Sequence, residues 1–105
     1  MRGYKLSRLA KTDLDEIWLD LARRATIEVA GRTIDEITCR FPMLAGMPGA
    51  GRLRPELDSG VRSFPVDDYI IYYRTQRKGI LISRVVHGKR DQWKALKTSR
   101  NRPGA

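Results

Sequence analysis

Arginine side chains occupy positions in this sequence that apolar neighbours surround. Arg62, Arg74 and Arg84 each stand within a run of valine, isoleucine, tyrosine or phenylalanine, and His87, the only histidine, ends the last run. A guanidinium carries five N–H donors in a planar fork that matches phosphate and carboxylate oxygens. Histidine is the residue type that exchanges protons most readily near neutral pH. These residues therefore indicate either an anion-binding surface or a site that cleaves phosphodiesters.

Cleavage of RNA through its own 2′-hydroxyl needs a base, an acid for the leaving oxygen, and positive charge on the phosphate. Arginine supplies the charge, but it stays protonated and so transfers protons poorly. If the chain is a nuclease, its candidate catalytic residues are Arg52, Arg62, Arg84 and His87. No carboxylates stand at the spacing of metal ligands, so such a nuclease would be metal-independent. If the chain acts by binding, no catalytic residue is expected.

Three runs rich in β-branched and aromatic residues predict an antiparallel meander. The runs are Val61–Val66, Tyr69–Arg74 and Ile80–His87. Asp67-Asp68 and Thr75–Gly79 separate them, and polar breaks of this length are typical of hairpins. Tyr69, Tyr72 and Tyr73 could stack bases, but side chains of this type in such a meander more often pack in the core.

The alternation of strand side chains raises the question of where Arg62 and Arg84 emerge. It places Arg62 on one face with Phe64, and Arg84 on one face with Ile82 and Val86. An arginine on a core face is costly unless it is paired. We therefore expect both to emerge where the helices leave the sheet uncovered and to line one exposed concavity.

The first half of the chain predicts a helical hairpin that covers the other face. A strand candidate at Tyr4–Leu9 precedes Thr12, the expected cap of a first helix. Its apolar stripe comprises Leu14, Ile17, Trp18, Leu21, Ala22 and Ala25. Thr26 is the expected cap of a second helix, which should kink or end near Pro42. Its stripe comprises Ala30, Ile34, Ile37, Phe41 and Leu44.

The remaining segments predict little regular structure. Ala45–Gly51 is rich in turn residues, Arg52–Leu57 is expected to be irregular or to form one turn, and Gln92–Lys97 is expected to form a short terminal helix. Residues 98–105 have the composition of a flexible basic tail. A length of 105 residues without a linker predicts one domain that covers the whole chain.

Composition limits the class of protein. The net charge is +9, and it is uneven: residues 1–51 hold eight Lys/Arg and seven Asp/Glu, whereas residues 52–105 hold 13 and five. A basic sheet half implies an anionic partner, either nucleic acid or an acidic protein segment. Cys39 is the only cysteine, which excludes an internal disulfide and a multi-cysteine metal site. Nothing resembles a signal peptide or membrane span, so a cytoplasmic protein without metal or cofactor is expected.

An ordered set of motifs in this chain resembles the ParE toxins within the broader RelE/ParE fold. The resemblance spans about Tyr4–Asp91. It is strongest in the series Arg62–Val66, Tyr69–Arg74 and Ile82–Asp91, which ends in His-Gly-Lys-Arg-Asp; Pro48, Gly51, Arg52, Glu56 and Leu57 extend it into the connector. The resemblance implies an α+β fold in the order β-α-α-β-β-β, with the hairpin on one face of an antiparallel-rich sheet. It agrees with the elements predicted above.

The resemblance also implies a toxin of a type II toxin–antitoxin module. ParE-like toxins poison DNA gyrase by binding, whereas RelE-like relatives cleave mRNA on the ribosome with connector lysines and a tyrosine after the last strand. Here Arg52, Arg54 and Trp93 stand instead, which favours the gyrase poison. A RelE-like endoribonuclease and a non-toxic nucleic-acid-binding module remain the alternatives.

Partners and contact residues follow as expectations from this resemblance. The implied partners are DNA gyrase, nucleic acid at the gyrase contact, and a ParD-like or other small acidic antitoxin in a hetero-oligomer. The residues expected to bind the target are Arg62, Arg84, His87, Arg90 and Trp93. The residues expected to bind the antitoxin are Leu14, Trp18, Ile34 and Phe41.

Overall fold

A five-stranded mixed sheet carries the candidate residues. The computed structural model describes residues 3–89. The strands are β1 (Gly3–Leu6), β2 (Arg52–Leu53), β3 (Val61–Val66), β4 (Tyr69–Gln76) and β5 (Gly79–His87), in the spatial order β1-β5-β4-β3-β2. β1 pairs with β5 in parallel, and the other pairs are antiparallel. The predicted meander is confirmed, with β4 and β5 slightly longer than expected.

Two places in the sheet differ from the prediction. The segment after the connector was expected to be irregular, but Arg52 and Leu53 pair with β3 and form an edge strand. Between β4 and β5 the register shifts, so that Tyr73 lies opposite Ile82 whereas Tyr72 lies opposite Arg84. One extra residue on β5 therefore reverses the alternation of faces after Ile82.

Three helices cover one face of the sheet: α1 (Arg8–Arg24), α2 (Ile27–Thr38) and α3 (Arg40–Gly46). The cap of α1 is Ser7, whose side chain accepts a hydrogen bond from the Ala10 N–H, so the prediction of Thr12 was wrong. Ser7 caps the helix because its backbone N–H, just after β1, also donates to the Ile82 carbonyl of β5. The cap of α2 is Thr26, as predicted.

The second helix breaks earlier than Pro42 suggested. α2 ends at Thr38, and Cys39 joins it to α3. Pro42 is the third residue of α3, where its missing N–H would have had no partner within the helix. The proline is therefore accommodated near a helix start instead of ending the helix.

Each face of the sheet has its own core. The helix-side core joins Ala10, Ile37, Phe41, Leu44, Ala45, Val66, Tyr69, Ile71, Tyr73, Ile80, Ile82 and Val85. The second-face core comprises Leu57, Val61, Tyr72 and Val86, with Ile70 packed against it. The three tyrosines of β4 are buried, which confirms that they pack and do not present bases with an open platform. The α+β fold with helices on one face is confirmed.

Two predictions concern the end of the chain. The expected helix at residues 92–97 and the tail at residues 98–105 lie outside the described residues. Within residues 3–89, no helix is both long and apolar enough to cross a lipid bilayer.

Candidate functional site

A charged pair anchors α1 to the last strand. Arg84 donates to both carboxylate oxygens of Asp13, from Nε to Oδ2 at 2.7 Å and from Nη2 to Oδ1 at 2.8 Å. The Val85 N–H also donates to Oδ2, at 3.0 Å. The Arg84 and Asp13 side chains are only 14% and 9% exposed. The hydrogen bond that Arg84 donates to Asp13 raises the pKa of Arg84 above its usual value, although burial opposes it.

Ser7 completes this anchor at the outer edge of β5. Its hydroxyl donates to the Ser83 carbonyl at 2.7 Å, and its backbone N–H donates to Ile82. Ser7, the cap of α1, and Asp13, within α1, thus bond the part of the β5 edge that follows its pairing with β1. The Arg84 guanidinium is part of this anchor, so the expectation that it emerges at an exposed surface is wrong.

Arg62 takes part in a different set of bonds, at the connector. Its Nη1 donates to the Gly51 carbonyl at 2.7 Å. The Gly51 N–H donates to the Tyr73 hydroxyl at 2.7 Å, which in turn donates to the Pro48 carbonyl at 2.8 Å. These bonds hold the connector against β3 and β4. Gly51 must be glycine here, since a Cβ would lie 2.4 Å from the Tyr73 hydroxyl oxygen.

The expected concavity shared by Arg62 and Arg84 does not form. Arg62 on β3 bonds the Gly51 carbonyl of the connector, whereas Arg84 on β5 bonds Asp13 of α1, so the two guanidinium groups are held at different places. Arg84 follows the register shift between β4 and β5, which breaks the regular alternation that grouped it with Ile82.

A row of polar residues crosses four strands instead. Arg52 pairs with Ser63, Ser63 with Tyr72, and Tyr72 with Arg84. Arg54 joins this row, since its Nη1 donates to the Ser63 hydroxyl at 3.3 Å while its Nε bonds Glu56 at 2.6 Å. The residue pattern indicated the arginines, and the family resemblance included Glu56, but neither gave Ser63 a role. The alternation of Val61 and Ser63 would have placed Ser63 on the second face.

Tyr72 differs from its neighbour Tyr73. Its hydroxyl is buried and has no hydrogen-bond partner in the described part of the chain. Burial raises its pKa to about 12, so the hydroxyl keeps its proton at neutral pH.

His87 closes the last strand. Its Nδ1 accepts a hydrogen bond from the Lys89 N–H at 3.1 Å, and its ring packs edge-on against Tyr69 at 5.2 Å between centroids. The imidazole thus bonds the turn. The target-binding expectations for Arg90 and Trp93 fall outside the described residues.

The four nuclease candidates are not brought into one cluster. Arg62 faces the helix side at the connector, Arg84 is bound by Asp13, and His87 bonds its own turn. Only Arg52 is exposed. Within residues 3–89, no three His, Cys, Asp or Glu side chains stand close enough to hold a metal ion.

The residues expected to bind an antitoxin divide into two groups. Trp18 and Ile34 are half-buried on α1 and α2. Leu14 packs against the helix-side core, and Phe41 is 1% exposed beneath the Tyr4 ring. Phe41 therefore shapes the core beneath the hairpin and presents no surface of its own. Leu19 and Ile27, which the sequence analysis did not single out, are the exposed large apolar residues of the hairpin.

Comparison with known proteins gives one consistent family. Residues 4–92 match the model of the ParE toxin of type II toxin–antitoxin systems. Toxin ParE1 of Caulobacter vibrioides is 34% identical over 87 residues, which cover 83% of this chain and 90% of that toxin. Toxin ParE1 of Mycobacterium tuberculosis is 28% identical over 89 residues, which cover 84% of this chain and 91% of that toxin.

A solved structure agrees with these relatives. A chain of the chromosomal ParDE toxin–antitoxin system from P. aeruginosa superposes with a TM-score of 0.73 at 26% identity. The match covers 83% of this chain and 96% of that one.

Proposed function

The chain belongs to the ParE toxin family of type II toxin–antitoxin systems, and from that premise we propose that it inhibits DNA gyrase by binding. It would carry out no hydrolysis of its own, and a cognate antitoxin would neutralise it. The basic half of the chain, residues 52–105, would engage gyrase or the DNA that gyrase holds.

One observation carries the choice of binding over cleavage. The guanidinium groups of Arg62 and Arg84 are committed to bonds that hold the fold, and Tyr72, beside Arg84 in the row, retains its proton. A cleavage site needs a group that takes a proton and another that returns it. The carboxylate beside Arg84 is that of Asp13, and the guanidinium and the Val85 N–H already occupy both of its oxygens.

The residues of this chain that are expected to bind the target would contribute in different ways. Arg52 is exposed and could contact the target directly. Arg62 and Arg84 would act by positioning, since Arg62 holds the connector and Arg84 holds β5. His87, Arg90 and Trp93 would continue the contact surface at the end of β5.

The antitoxin would bind the helical hairpin. Trp18 and Ile34 are half-buried and Leu19 and Ile27 are exposed, so this surface offers apolar area to an amphipathic segment. An acidic segment that folds on binding would suit a chain with a net charge of +9. The P. aeruginosa ParDE system supports such a partner.

Conditional expression in bacteria and a supercoiling assay test the proposal together. We expect growth arrest with an SOS response, intact mRNA, and loss of supercoiling by purified gyrase when the purified chain is added. Arg52→Gln should weaken this inhibition more than Arg32→Gln, since each removes one exposed arginine but only Arg52 lies on the sheet half.

The rival functions give different results. Arrest with cut transcripts and normal supercoiling would replace the proposal with a ribosome-dependent endoribonuclease. Normal growth with retained nucleic-acid binding would replace it with a non-toxic binding module.

A further inference from the structure

Three hydrogen-bond donors converge on the second face of the sheet. Ser63 and Tyr72 are cross-strand partners on β3 and β4. Arg54, whose backbone N–H bonds the Val61 carbonyl, projects its guanidinium onto Ser63. Side chains of directly paired residues lie within about 5.5 Å of each other at Cβ. The three groups therefore border one small area of the sheet.

The Tyr72 hydroxyl is the unusual member of this group. It is fully buried, and nothing in residues 3–89 forms a hydrogen bond with it. A buried hydroxyl without a partner is costly, and proteins seldom retain one without a reason. The hydroxyl is protonated at neutral pH, and burial raises its pKa further, to about 12, so its proton remains available to a ligand.

The Ser63 hydroxyl also has donor capacity to spare. It is 6% exposed, and its one bond within the described residues is as the acceptor from Arg54. A hydroxyl that accepts one hydrogen bond can still donate its proton. Two neighbouring hydroxyls and a guanidinium thus present donors in one place.

The guanidinium of Arg54 already binds a carboxylate of the same chain, that of Glu56. Glu56 lies 2.6 Å from the Arg54 Nε, and its side chain is 56% exposed. The next residue, Leu57, belongs to the same second-face core as Tyr72. Arg54 is only 21% exposed, but the Glu56 carboxylate is open to solvent, so a second anion can compete with it for the guanidinium.

We propose that Arg54, Ser63 and Tyr72 form a binding site for a phosphodiester group of nucleic acid, and that Glu56 occupies Arg54 until the phosphate displaces it. A phosphate has oxygens to accept from all three donors at once, and the guanidinium fork matches its geometry. Arg52, exposed and next in the row, would contact a neighbouring phosphate. This inference deepens the proposed function, because it names the ligand chemistry of the same basic half.

Fluorescence anisotropy with a short labelled DNA duplex tests the site on the full chain without gyrase. Tyr72→Phe should weaken binding by roughly tenfold, the effect of one hydrogen bond to a charged group. The same variant should raise the Tm by about 4 °C or more, because it removes a buried hydroxyl that has no partner. A purely structural tyrosine would not lose affinity while gaining stability.

Glu56→Gln should change duplex binding in the opposite direction to Tyr72→Phe. Removing the internal competitor should tighten duplex binding by up to about fivefold. The control is Glu28→Gln on α2, which removes the same charge from an exposed position away from the row. The difference between the two variants separates displacement at Arg54 from the general effect of net charge.

Three results would overturn the inference. These are a Tyr72→Phe affinity equal to that of the unaltered chain, equal effects of Glu56→Gln and Glu28→Gln, and tighter binding to polyglutamate than to the duplex. Supercoiling assays on the same variants keep the two proposals separate. If the unaltered chain inhibits gyrase but Tyr72→Phe binds the duplex as tightly as the unaltered chain does, this inference alone ends. If Tyr72→Phe weakens duplex binding but the unaltered chain leaves supercoiling by gyrase intact, only the gyrase proposal ends.

Discussion

At the residue scale, the Asp13–Arg84 pair has the largest predicted effect on stability. Asp13→Asn would remove the carboxylate that bonds two nitrogens of a guanidinium that is only 14% exposed. Breaking a buried pair from one side costs about 3–5 kcal/mol, since the remaining charge stays desolvated. We therefore expect a loss of about 3 kcal/mol in the free energy of unfolding, measured by urea denaturation.

The exposed pair between Asp20 and Arg24 supplies the control. Its side chains are 54% and 64% exposed, so solvent screens the pair and Asp20→Asn should change stability far less than Asp13→Asn does. Equal losses in the two variants would show that Asp13 has no special role in holding α1 to β5.

Removal of the Tyr73 hydroxyl and removal of the Tyr72 hydroxyl should change the free energy of unfolding in opposite directions. Tyr73→Phe removes the acceptor of the Gly51 N–H and the donor to the Pro48 carbonyl. An unsatisfied buried N–H costs about 1–3 kcal/mol, so the unfolding free energy should fall by that amount. Tyr72→Phe, one residue away on β4, should raise it. Thermal unfolding of both variants in one buffer measures the contrast, and a loss in both would contradict it.

A pair of carboxyl groups predicts how stability depends on pH. The hydrogen bond and the charge of Asp67 raise the pKa of Glu36 from its usual 4.5, and Arg32 and Arg40 only partly oppose this. The folded state therefore binds the Glu36 proton more tightly than the unfolded state does. This contribution favours folding below pH 4.5 and disappears as the pH rises through the raised pKa.

Glu36→Gln is the variant that tests this dependence. It should raise the Tm at neutral pH, where the two carboxylates repel, and change little below the usual glutamate pKa. Glu28→Gln is the comparison, since Glu28 lies in the first turn of α2, where the helix dipole favours negative charge. That variant should lower the Tm slightly at neutral pH. If both variants shifted the Tm in the same direction, the carboxyl interaction would be ruled out.

At the element scale, the start of α1 shows what local sequence could and could not predict. Thr12 followed by acidic residues is a good local capping pattern, yet Ser7 caps the helix because its backbone also pairs with β5. Thr26 had no such competitor, and its prediction was correct. A helix cap can be predicted where only local hydrogen bonds determine it. The prediction fails where a strand distant in sequence also bonds the capping residue.

Ser7→Ala and Thr12→Ala compare the two assignments directly. Ser7→Ala removes the acceptor of the Ala10 N–H and the donor to Ser83, so it should cost about 1–2 kcal/mol. Thr12 is exposed within the helix, and alanine there should be neutral or slightly stabilising. Chemical denaturation of both proteins measures the difference. A larger loss for Thr12→Ala would restore the original assignment.

The strands also include features that local sequence predicted and features that it did not. β3 was predicted at its observed bounds because alternation and turn residues are local signals. The β-bulge in β5 was not predicted, since it depends on the pairing with Tyr72 and Tyr73. The partner of Arg84 lies 71 residues away, at a position that reads as an ordinary helix-start aspartate. For this reason the sequence indicated which arginines matter but placed Arg62 and Arg84 on a common surface.

At the scale of the whole molecule, charge and apolar surface are separated along the chain. The sheet half holds the excess of positive charge, while the hairpin presents Trp18, Ile34, Leu19 and Ile27. Charge acts at a distance and sets how often partners meet, whereas desolvated apolar contacts set how long they remain together. The two halves should therefore control different rate constants for an acidic antitoxin.

Surface plasmon resonance at several salt concentrations can separate these rate constants. The association rate constant should fall about tenfold or more between low and high salt, because ions screen attraction to the basic half. Trp18→Ala should speed dissociation and leave the salt dependence of association unchanged. Arg52→Gln should flatten that dependence and leave dissociation nearly unchanged, since Arg52 is exposed on the edge strand and lies outside the hairpin. An association rate that does not respond to salt would exclude electrostatic steering, and faster dissociation of Arg52→Gln than of Trp18→Ala would move the antitoxin surface from the hairpin to the sheet.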